Sequence, residues 1–187
     1  MQNMILEIMG GNKLIDPVMV LQKAGLKEKM QVADLGCGAV GHYVFPAAKM
    51  VGKEGKVYAV DILKPVLENI EKRANLENLS NIITVWSDLE RYGAAKIASS
   101  SLDAVFLLNT LFQTKDRPIV LKEATRLLKV GGKLVVVDWL MIDAPFGPPV
   151  EGRVDHAFVE AEADKLGLRL LNRFSAGKYH YGLVFEK

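Results

Sequence analysis

Short apolar runs alternate with amphipathic segments over most of the chain. Five such runs are followed by turn residues, and they comprise Gln31–Leu35, Lys56–Asp61, Ile82–Trp86, Leu102–Leu108 and residues 133–139. Residues 134–137 are continuously apolar, which is typical of a parallel strand covered on both faces. Strands that alternate with helices predict a doubly wound α/β fold, because each right-handed crossover places its helix over the sheet.

Capping residues and glycines delimit the predicted helices. An aspartate placed before proline accepts hydrogen bonds from free amide groups, proline is tolerated in a first helical turn, and glycine ends a helix. The helices predicted in this way run from Pro17 to Gly25, from the turn after the first strand to Gly52, from Pro65 to about Asn75, from Asp116 to Gly131 and from about Val154 to Leu166.

The C-terminal part of the chain departs from this alternation. Residues 144–149 are too rich in proline for a helix or a central strand, so they predict a surface loop. Residues 168–174 and 179–185 are two strand-like runs separated by a short segment that contains Gly177, which is the spacing of a hairpin. The sheet is therefore expected to end in two antiparallel strands.

The composition limits the classes of protein to which the chain can belong. Of the 187 residues, 50% are hydrophobic and 25% are charged, which predicts one globular domain over residues 1–187. Residues 1–24 form an N-terminal segment and helix that we regard as a candidate lid. The single cysteine, Cys37, and the lack of a leader pattern favour the cytoplasm.

Three kinds of partner are disfavoured by the same composition. No apolar run approaches the length of about 20 residues that spans a bilayer, so we expect no membrane segment. The net charge of +2 is distributed along the chain and forms no basic cluster, which argues against nucleic acid. The three histidines lack the spacing of metal ligands, so no metal is expected, and His180 is interpreted as a residue of the hairpin.

The turn after the first strand carries the first candidate site residues. Gly36, Gly38 and Gly41 fit the G-x-G-x-x-G spacing of nucleotide-binding turns, in which glycines let the backbone approach a ligand closely. The spacing by itself does not identify the ligand. Asp34 precedes the turn, and its carboxylate would repel a pyrophosphate but attract the amino group of a zwitterionic amino-acid ligand.

Polar side chains also follow the next three strands. Asp61 stands 20 residues beyond Gly41, where an acidic side chain accepts hydrogen bonds from both hydroxyls of an adenosine ribose. Asp88 follows the third strand, where a carboxylate can accept from an adenine amino group while a neighbouring amide donates to the ring. Asn109 follows the fourth strand and offers both a donor and an acceptor.

Five motifs in order resemble those of the class I S-adenosylmethionine-dependent methyltransferases. They are residues 32–38, 57–61, 87–88, 102–103 and 127–134. The resemblance implies a Rossmann-like sheet of seven strands with the last antiparallel to the others, and S-adenosylmethionine as the cofactor. The implied cofactor-binding residues are Asp34, Gly36, Cys37, Gly38, Gly41, Asp61, Ile62, Asp88, Leu89 and Asn109.

Two positions depart from the family pattern. The glycine turn is one residue longer than is usual, which leaves open which amide faces the ligand. Phe112 and Gln113 stand where relatives often have a histidine and an acidic residue, so no acid-base role is carried over to that loop. If the acceptor needs a general base, Asp138, Tyr43 and Glu151 are the residues to consider.

The sequence predicts methyl transfer to an unidentified acceptor, favoured to be a small molecule. An NAD(P)-dependent oxidoreductase remains an alternative, supported by the glycine spacing and by Asp61 and opposed by Asp34 and the closing hairpin. A non-catalytic module that binds S-adenosylmethionine is a second alternative. In each case, residues 1–24 and 144–153 are expected to form a mobile roof over the site.

Overall fold

The computed structural model describes residues 14–187, and a mixed sheet of seven strands organises this part of the chain. The strands are β1 Gln31–Leu35, β2 Lys56–Asp61, β3 Ile82–Trp86, β4 Leu102–Leu108, β5 Leu128–Trp139, β6 Arg169–Gly177 and β7 His180–Glu186. The helices are α1 Pro17–Lys23, α2 Val44–Val51, α3 Lys64–Leu76, α4 Arg117–Leu127 and α5 His156–Lys165. The part of the candidate lid before residue 14 lies outside the described residues.

The strand order is β3-β2-β1-β4-β5-β7-β6. Strands β1 to β5 are parallel to one another, whereas β7 is antiparallel to both β5 and β6. This arrangement confirms the predicted doubly wound α/β fold with a closing hairpin. The winding reverses between β1 and β4, and ligands of such sheets bind at the carboxyl ends of the strands at that point.

Alternate strand residues enter two separate cores. Val32 and Val57 lie in a core that α1, α2 and α3 cover, on what we call the first face of the sheet. Ala33 and Val60 lie in the core under α4 and α5, on the second face. Because both faces are covered, the continuous apolar run in β5 follows directly from its central position.

The two predicted capping residues, Asp16 and Asp116, each begin a helix, and Asp155 begins a third. The Asp16 carboxylate accepts from the amides of Val18 and Met19 at 2.9 and 3.3 Å. Asp116 caps α4 and Asp155 caps α5 in the same way, through the amides of Ile119 and Ala157. Among the helices of residues 14–187, none is long and apolar enough to cross a membrane.

The predicted boundary between α4 and β5 is wrong. Helix α4 ends at Leu127 instead of Gly131, and β5 begins at Leu128 because this residue pairs with Leu102 of β4. A side chain at Gly132 would place its Cβ 2.9 Å from the carbonyl oxygen of Leu102, so only glycine allows this approach. Both glycines pair with Lys187, an interaction that local sequence patterns do not reveal.

A buried ion pair organises the segment between β3 and β4. The Glu123 carboxylate of α4 accepts from Arg126 at 2.8 Å and from the amides of Gly93 and Ala95 at 2.8 and 3.2 Å. Burial raises the pKa of Glu123, but the hydrogen bonds from Arg126 and from the amides outweigh it and hold the pKa below its usual value. Glu123 therefore stays ionised and fixes the chain that follows Asp88.

Replacing Glu123 with alanine should lower the free energy of unfolding by about 3 to 5 kcal/mol, because Arg126 and two amides lose their acceptor inside the protein. Denaturant titration measures the loss. The control is Glu54→Ala, which breaks an exposed pair with Lys29 and should cost less than about 1 kcal/mol. Equal costs for the two variants would contradict the assignment.

Candidate active site

Two adjoining clefts open at the carboxyl edge of the sheet where the winding reverses. The β2 cleft has a volume of about 390 Å³ and lies over the ends of β2 and β3; its lining includes Asp61, Ile62, Ser87, Asp88, Leu89 and Thr110. The β5 cleft has a volume of about 300 Å³, and its lining includes Leu14, Ile15, Asp34, Cys37, Tyr43, Leu108, Asn109, Trp139 and His180. Gly36, Gly38 and Gln113 line both clefts, so the two are continuous.

The glycine turn forms the wall between the clefts. Gly36 and Gly38 have φ angles of +84° and +65°, a region that favours glycine. A Cβ at Gly36 would lie 2.9 Å from the Thr110 side chain, whereas nothing lies within 4 Å of a Cβ at Gly38. The space in front of Gly38 is open to both clefts, so it leaves room for a ligand against bare backbone.

Gly41 does not reach either cleft. It has a φ angle of +58°, and a Cβ there would overlap the side chains of Ile70 and Phe45. Its amide donates to the carbonyl oxygen of Gly38 at 3.1 Å. Close packing of the turn against helix α3 thus explains why position 41 is a glycine. The structure does not bring Gly41 to the predicted ligand position.

Asp34 is the most unusual ionisable group in the site. It is 3% exposed at the end of β1, and neither carboxylate oxygen has a hydrogen-bond partner within residues 14–187. Burial, and secondarily the charge of Asp61, raises its pKa from 3.8 to about 7. An ionised carboxylate in this position lacks a counter-charge, which a cationic ligand group would supply.

Asp61 ties the two turns of the β2 cleft together. One carboxylate oxygen accepts from the amide of Gly38 at 3.1 Å and the other accepts from the amide of Leu63 at 2.9 Å. Each oxygen keeps further acceptor capacity, which is what binding a pair of hydroxyls requires. Asp61 therefore has a structural function, orientation of the glycine turn, that the sequence did not predict.

The far end of the β2 cleft combines an apolar surface with polar groups. Ile62 is 52% exposed beside Asp61, so a flat ring can pack on it without displacing protein atoms. The Asp88 carboxylate accepts from the amide of Glu90 at 3.0 Å and pairs with Arg91 at 3.3 Å. The Ser87 hydroxyl is buried and has no partner within the described residues.

Asn109 and Gln113 sit where the clefts meet. Asn109 has a φ angle of +56°, and its side-chain oxygen is buried with no partner within residues 14–187. Gln113 donates from its side chain to the Asn109 carbonyl at 2.8 Å, and it lines both clefts. Gln113 thus takes part in shaping the site, although it does not match the family pattern.

Only one of the three candidate bases lines the clefts. Asp138 accepts from the amides of Phe112 and Trp139 on the second face of the sheet, and Glu151 is exposed beside the proline-rich loop. Tyr43 lines the β5 cleft, but burial and the charge of Asp34 raise the pKa of its hydroxyl above the usual range. Tyr43 is accordingly a hydrogen-bond donor at neutral pH and not a base.

The predicted roof divides into two parts with different positions. Leu14 and Ile15 line the β5 cleft directly. Residues 144–153 do not line it and contact it only through Trp139, against which Gly147 packs. Arg153 donates to the carbonyl oxygens of Leu140 and Pro148 at 2.7 and 2.9 Å, so this loop is tied to the end of β5.

The thiol of Cys37 lies in the β5 cleft without a reactive character. Burial, and then the charges of Asp34 and Asp61, raises its pKa above the usual range, so it remains a protonated thiol. Its expected place among the cofactor-binding residues stays a prediction. His180, by contrast, is a cleft residue that sequence reasoning missed, because its position depends on how β7 pairs with β5.

The chain matches known methyltransferases. Residues 26–163 match a family model described as a methyltransferase domain. A sterol 24-C-methyltransferase of Aspergillus fumigatus is 34% identical over 125 residues, which cover 64% of this chain and 30% of that protein. Human arsenite methyltransferase is 31% identical over 117 residues, which cover 59% of this chain and 31% of that protein. The chain thus spans about a third of the length of these two relatives.

Solved structures extend the match over nearly the whole chain. A crystal structure of a SAM-dependent methyltransferase from Aquifex aeolicus is 30% identical, has a TM-score of 0.84, and covers 93% of this chain and 90% of that one. The cyclase SpnF has a TM-score of 0.77 at 14% identity, and the match covers 91% of this chain and 79% of that one. The second likeness shows the fold alone.

Replacing Asp34 with asparagine should raise the melting temperature of the ligand-free protein at about pH 8. The folded-state pKa of about 7 lies above the ordinary value of 3.8, so the parent loses stability as the pH rises from about 4 to about 7, and the variant does not. Melting curves at about pH 5 and pH 8 measure this. Asp143→Asn, at an exposed carboxylate, is the control, and a less stable Asp34→Asn protein at pH 8 would contradict the prediction.

Proposed function

This chain belongs to the class I S-adenosylmethionine-dependent methyltransferases, and we propose that it transfers a methyl group from S-adenosylmethionine to a small-molecule acceptor. The observation that carries the proposal is the buried Asp34 carboxylate beside the glycine turn, with no partner within the described residues. A carboxylate in this place suits the amino group of the cofactor and disfavours the pyrophosphate of a nicotinamide dinucleotide. The same residue therefore argues against the oxidoreductase alternative.

The remaining cofactor contacts are proposed along the two clefts. Asp61 would accept from the ribose hydroxyls, and Ile62 would support the adenine ring on its exposed side chain. Asp88 and the Leu89 amide would bind the edge of the adenine. The residues proposed for the methionine end are Asp34, Gly36, Cys37, Gly38 and Asn109.

The chain's contribution to the reaction is position and exclusion of water. S-adenosylmethionine, when bound, supplies a methyl group on a positively charged sulfur, which is already a good electrophile. The β5 cleft holds the acceptor in a largely apolar enclosure, so its nucleophilic atom is oriented towards the methyl group and shielded from water. Because Asp138 and Glu151 lie outside the clefts and Tyr43 stays protonated, none of the three serves as the general base in this proposal.

We also propose that residues 1–187 act as one domain whose residues 1–24 close over the acceptor. Leu14 and Ile15 at the β5 cleft support a lid on this side. The small size of that cleft supports a small-molecule acceptor, and the dispersed charge gives no basic surface for nucleic acid. The single cysteine leaves residues 1–187 without an internal disulfide, which supports a reducing compartment, the cytoplasm.

Replacing Asp61 with alanine should weaken binding of S-adenosylmethionine by about 10-fold to 150-fold, because each charge-assisted hydrogen bond is worth about 1.5 to 3 kcal/mol. Calorimetry measures the affinity, and some loss of stability should accompany it, since the Gly38 and Leu63 amides lose their acceptor.

The matched control for Asp61 is Asp103→Ala. Asp103 also accepts from a backbone amide, that of Gln31 at 2.8 Å, but at the amino edge of the sheet. It should lower stability and leave cofactor affinity unchanged. Equal affinity losses in both variants would mean that Asp61 acts only through the fold, and tight binding of a nicotinamide dinucleotide in place of S-adenosylmethionine would overturn the proposed function.

Affinity for S-adenosylhomocysteine should rise about tenfold between about pH 6 and pH 8. Only the ionised form of Asp34 attracts the ligand's ammonium group, and with a pKa of about 7 the ionised fraction rises across this range. Calorimetry at both pH values measures the change. In the Asp34→Asn variant the ligand's own groups titrate as before, but the carboxylate is absent. If the variant keeps the same pH dependence of affinity, the protein group responsible for it is not Asp34.

A further inference from the structure

His180 is a buried polar side chain with no function in the fold described so far. It is 1% exposed at the first position of β7, and neither ring nitrogen has a hydrogen-bond partner within residues 14–187. An unpaired buried polar group costs free energy, and such groups in folded proteins are normally satisfied by protein, water or ligand. The ring therefore needs a partner that the described residues do not supply.

The pairing of β5 with β7 brings His180 to the acceptor end of the site. His180 lies opposite Trp139 in the antiparallel register, and the two ring centroids are 4.2 Å apart. Directly opposite residues project to the same face of a sheet, and both rings line the β5 cleft together with Asp34 and Leu108. His180 thus shares a cavity with the carboxylate proposed to hold the cofactor's amino group.

The imidazole of His180 is uncharged at neutral pH. Burial, and then the positive charge of Arg153, lowers its pKa from 6.5 to about 4. Arg153 itself is engaged, because its guanidinium donates to the carbonyl oxygens of Leu140, Ile142 and Pro148. A neutral imidazole presents one donor and one acceptor and brings no positive charge, so a hydroxyl group, which also donates and accepts, complements it.

The described lining of the β5 cleft offers an anionic acceptor no lysine or arginine. Among the described residues that line it, none is a lysine or an arginine, and Asp34 is acidic. Leu14, Ile15, Leu108 and Trp139 supply apolar surface. The buried Tyr43 hydroxyl and the Asn109 side-chain oxygen have no partner within residues 14–187, and together with Gln113 they add uncharged polar groups. A few polar groups in an apolar enclosure are typical of a site that orients an uncharged ligand.

We propose that His180 binds and orients the methyl acceptor, and that the acceptor is an uncharged, largely apolar molecule carrying a hydroxyl group that hydrogen-bonds to this imidazole. The inference rests on the proposed function, because it takes the β5 cleft as the acceptor end of a methyltransferase site. His180 is a specificity-determining residue in this scheme. Trp139 packs against the apolar body of the acceptor, and His180 selects the hydroxyl.

Three probes test the proposal on the full chain loaded with S-adenosylhomocysteine: 4-methylphenol, toluene and 4-methylbenzoate. They share a methylphenyl ring and differ in the group para to the methyl: a hydroxyl, a hydrogen and a carboxylate. Ligand-observed NMR titration measures each affinity. The parent should bind 4-methylphenol more tightly than toluene, and 4-methylbenzoate most weakly. His180→Phe should reduce 4-methylphenol affinity about tenfold, the equivalent of about one neutral hydrogen bond, and leave toluene unchanged. His180→Gln, which keeps a donor and an acceptor, should recover part of the preference.

The matched control is His156→Phe. His156 borders a separate depression on the other side of His180, and it does not line the β5 cleft. It should bind all three probes as the parent does. If His156→Phe weakened 4-methylphenol binding as much as His180→Phe does, the probe would lie in that depression, and the proposal would be overturned.

Two other results would overturn the acceptor proposal. One is that His180→Phe loses affinity for toluene and for 4-methylphenol equally. The other is that the parent shows no preference for 4-methylphenol over toluene. Binding of S-adenosylhomocysteine, measured first for each variant, separates the two levels of inference. If the parent binds S-adenosylhomocysteine but shows no hydroxyl preference, only the acceptor proposal fails. If it does not bind S-adenosylhomocysteine, the proposed function fails as well.

Discussion

A carboxylate buried with no hydrogen-bond partner among residues 14–187, at the point where the sheet reverses its winding, is the constraint on which the site depends. Desolvation makes the ionised form of Asp34 costly in the ligand-free protein, and the same desolvation strengthens its attraction for a cationic ligand group. A hydrophobic residue at this position would stabilise the fold better. An acidic residue at this position is explained by the proposed binding of the cofactor's amino group and not by packing.

Backbone contacts to a second carboxylate, that of Asp61, shape the β2 cleft. Asp61 accepts from the amides of both adjoining turns, so the glycine turn is held in place before any ligand arrives. On the second face of the sheet, the ion pair of Glu123 with Arg126 fixes the segment that follows β3. The cofactor groups would thus meet a preformed surface, which lowers the entropic cost of binding.

The acceptor end is made by parts of the chain that are distant in sequence. Trp139 ends β5, His180 begins β7, and Tyr43 precedes α2, yet all three line one cleft. Its walls combine apolar and polar side chains, its described cationic neighbour Arg153 is engaged by carbonyl oxygens, and its histidine is neutral. These features together favour an uncharged acceptor, whereas the cofactor end is adapted to a positive charge.

The sequence by itself determined the features that depend on local interactions. The limits of β1, β2, β3 and β4 follow from apolar runs bounded by turn residues, and the starts of two helices follow from Asp16 and Asp116 as caps. The order of the methyltransferase motifs also predicted the sheet and its closing hairpin, since each motif is contiguous in the chain.

Only the tertiary structure decided the features that depend on pairing between distant segments. The early start of β5 needs Leu102 and Lys187, and the packing of Gly41 needs Ile70. His180 reaches the cleft through the register of β7 on β5, and a shift of one residue would turn it to the other face. Burial of Asp34 is likewise a property of the assembled sheet. Local patterns do not encode these distances, because the contacting residues are brought together only by folding.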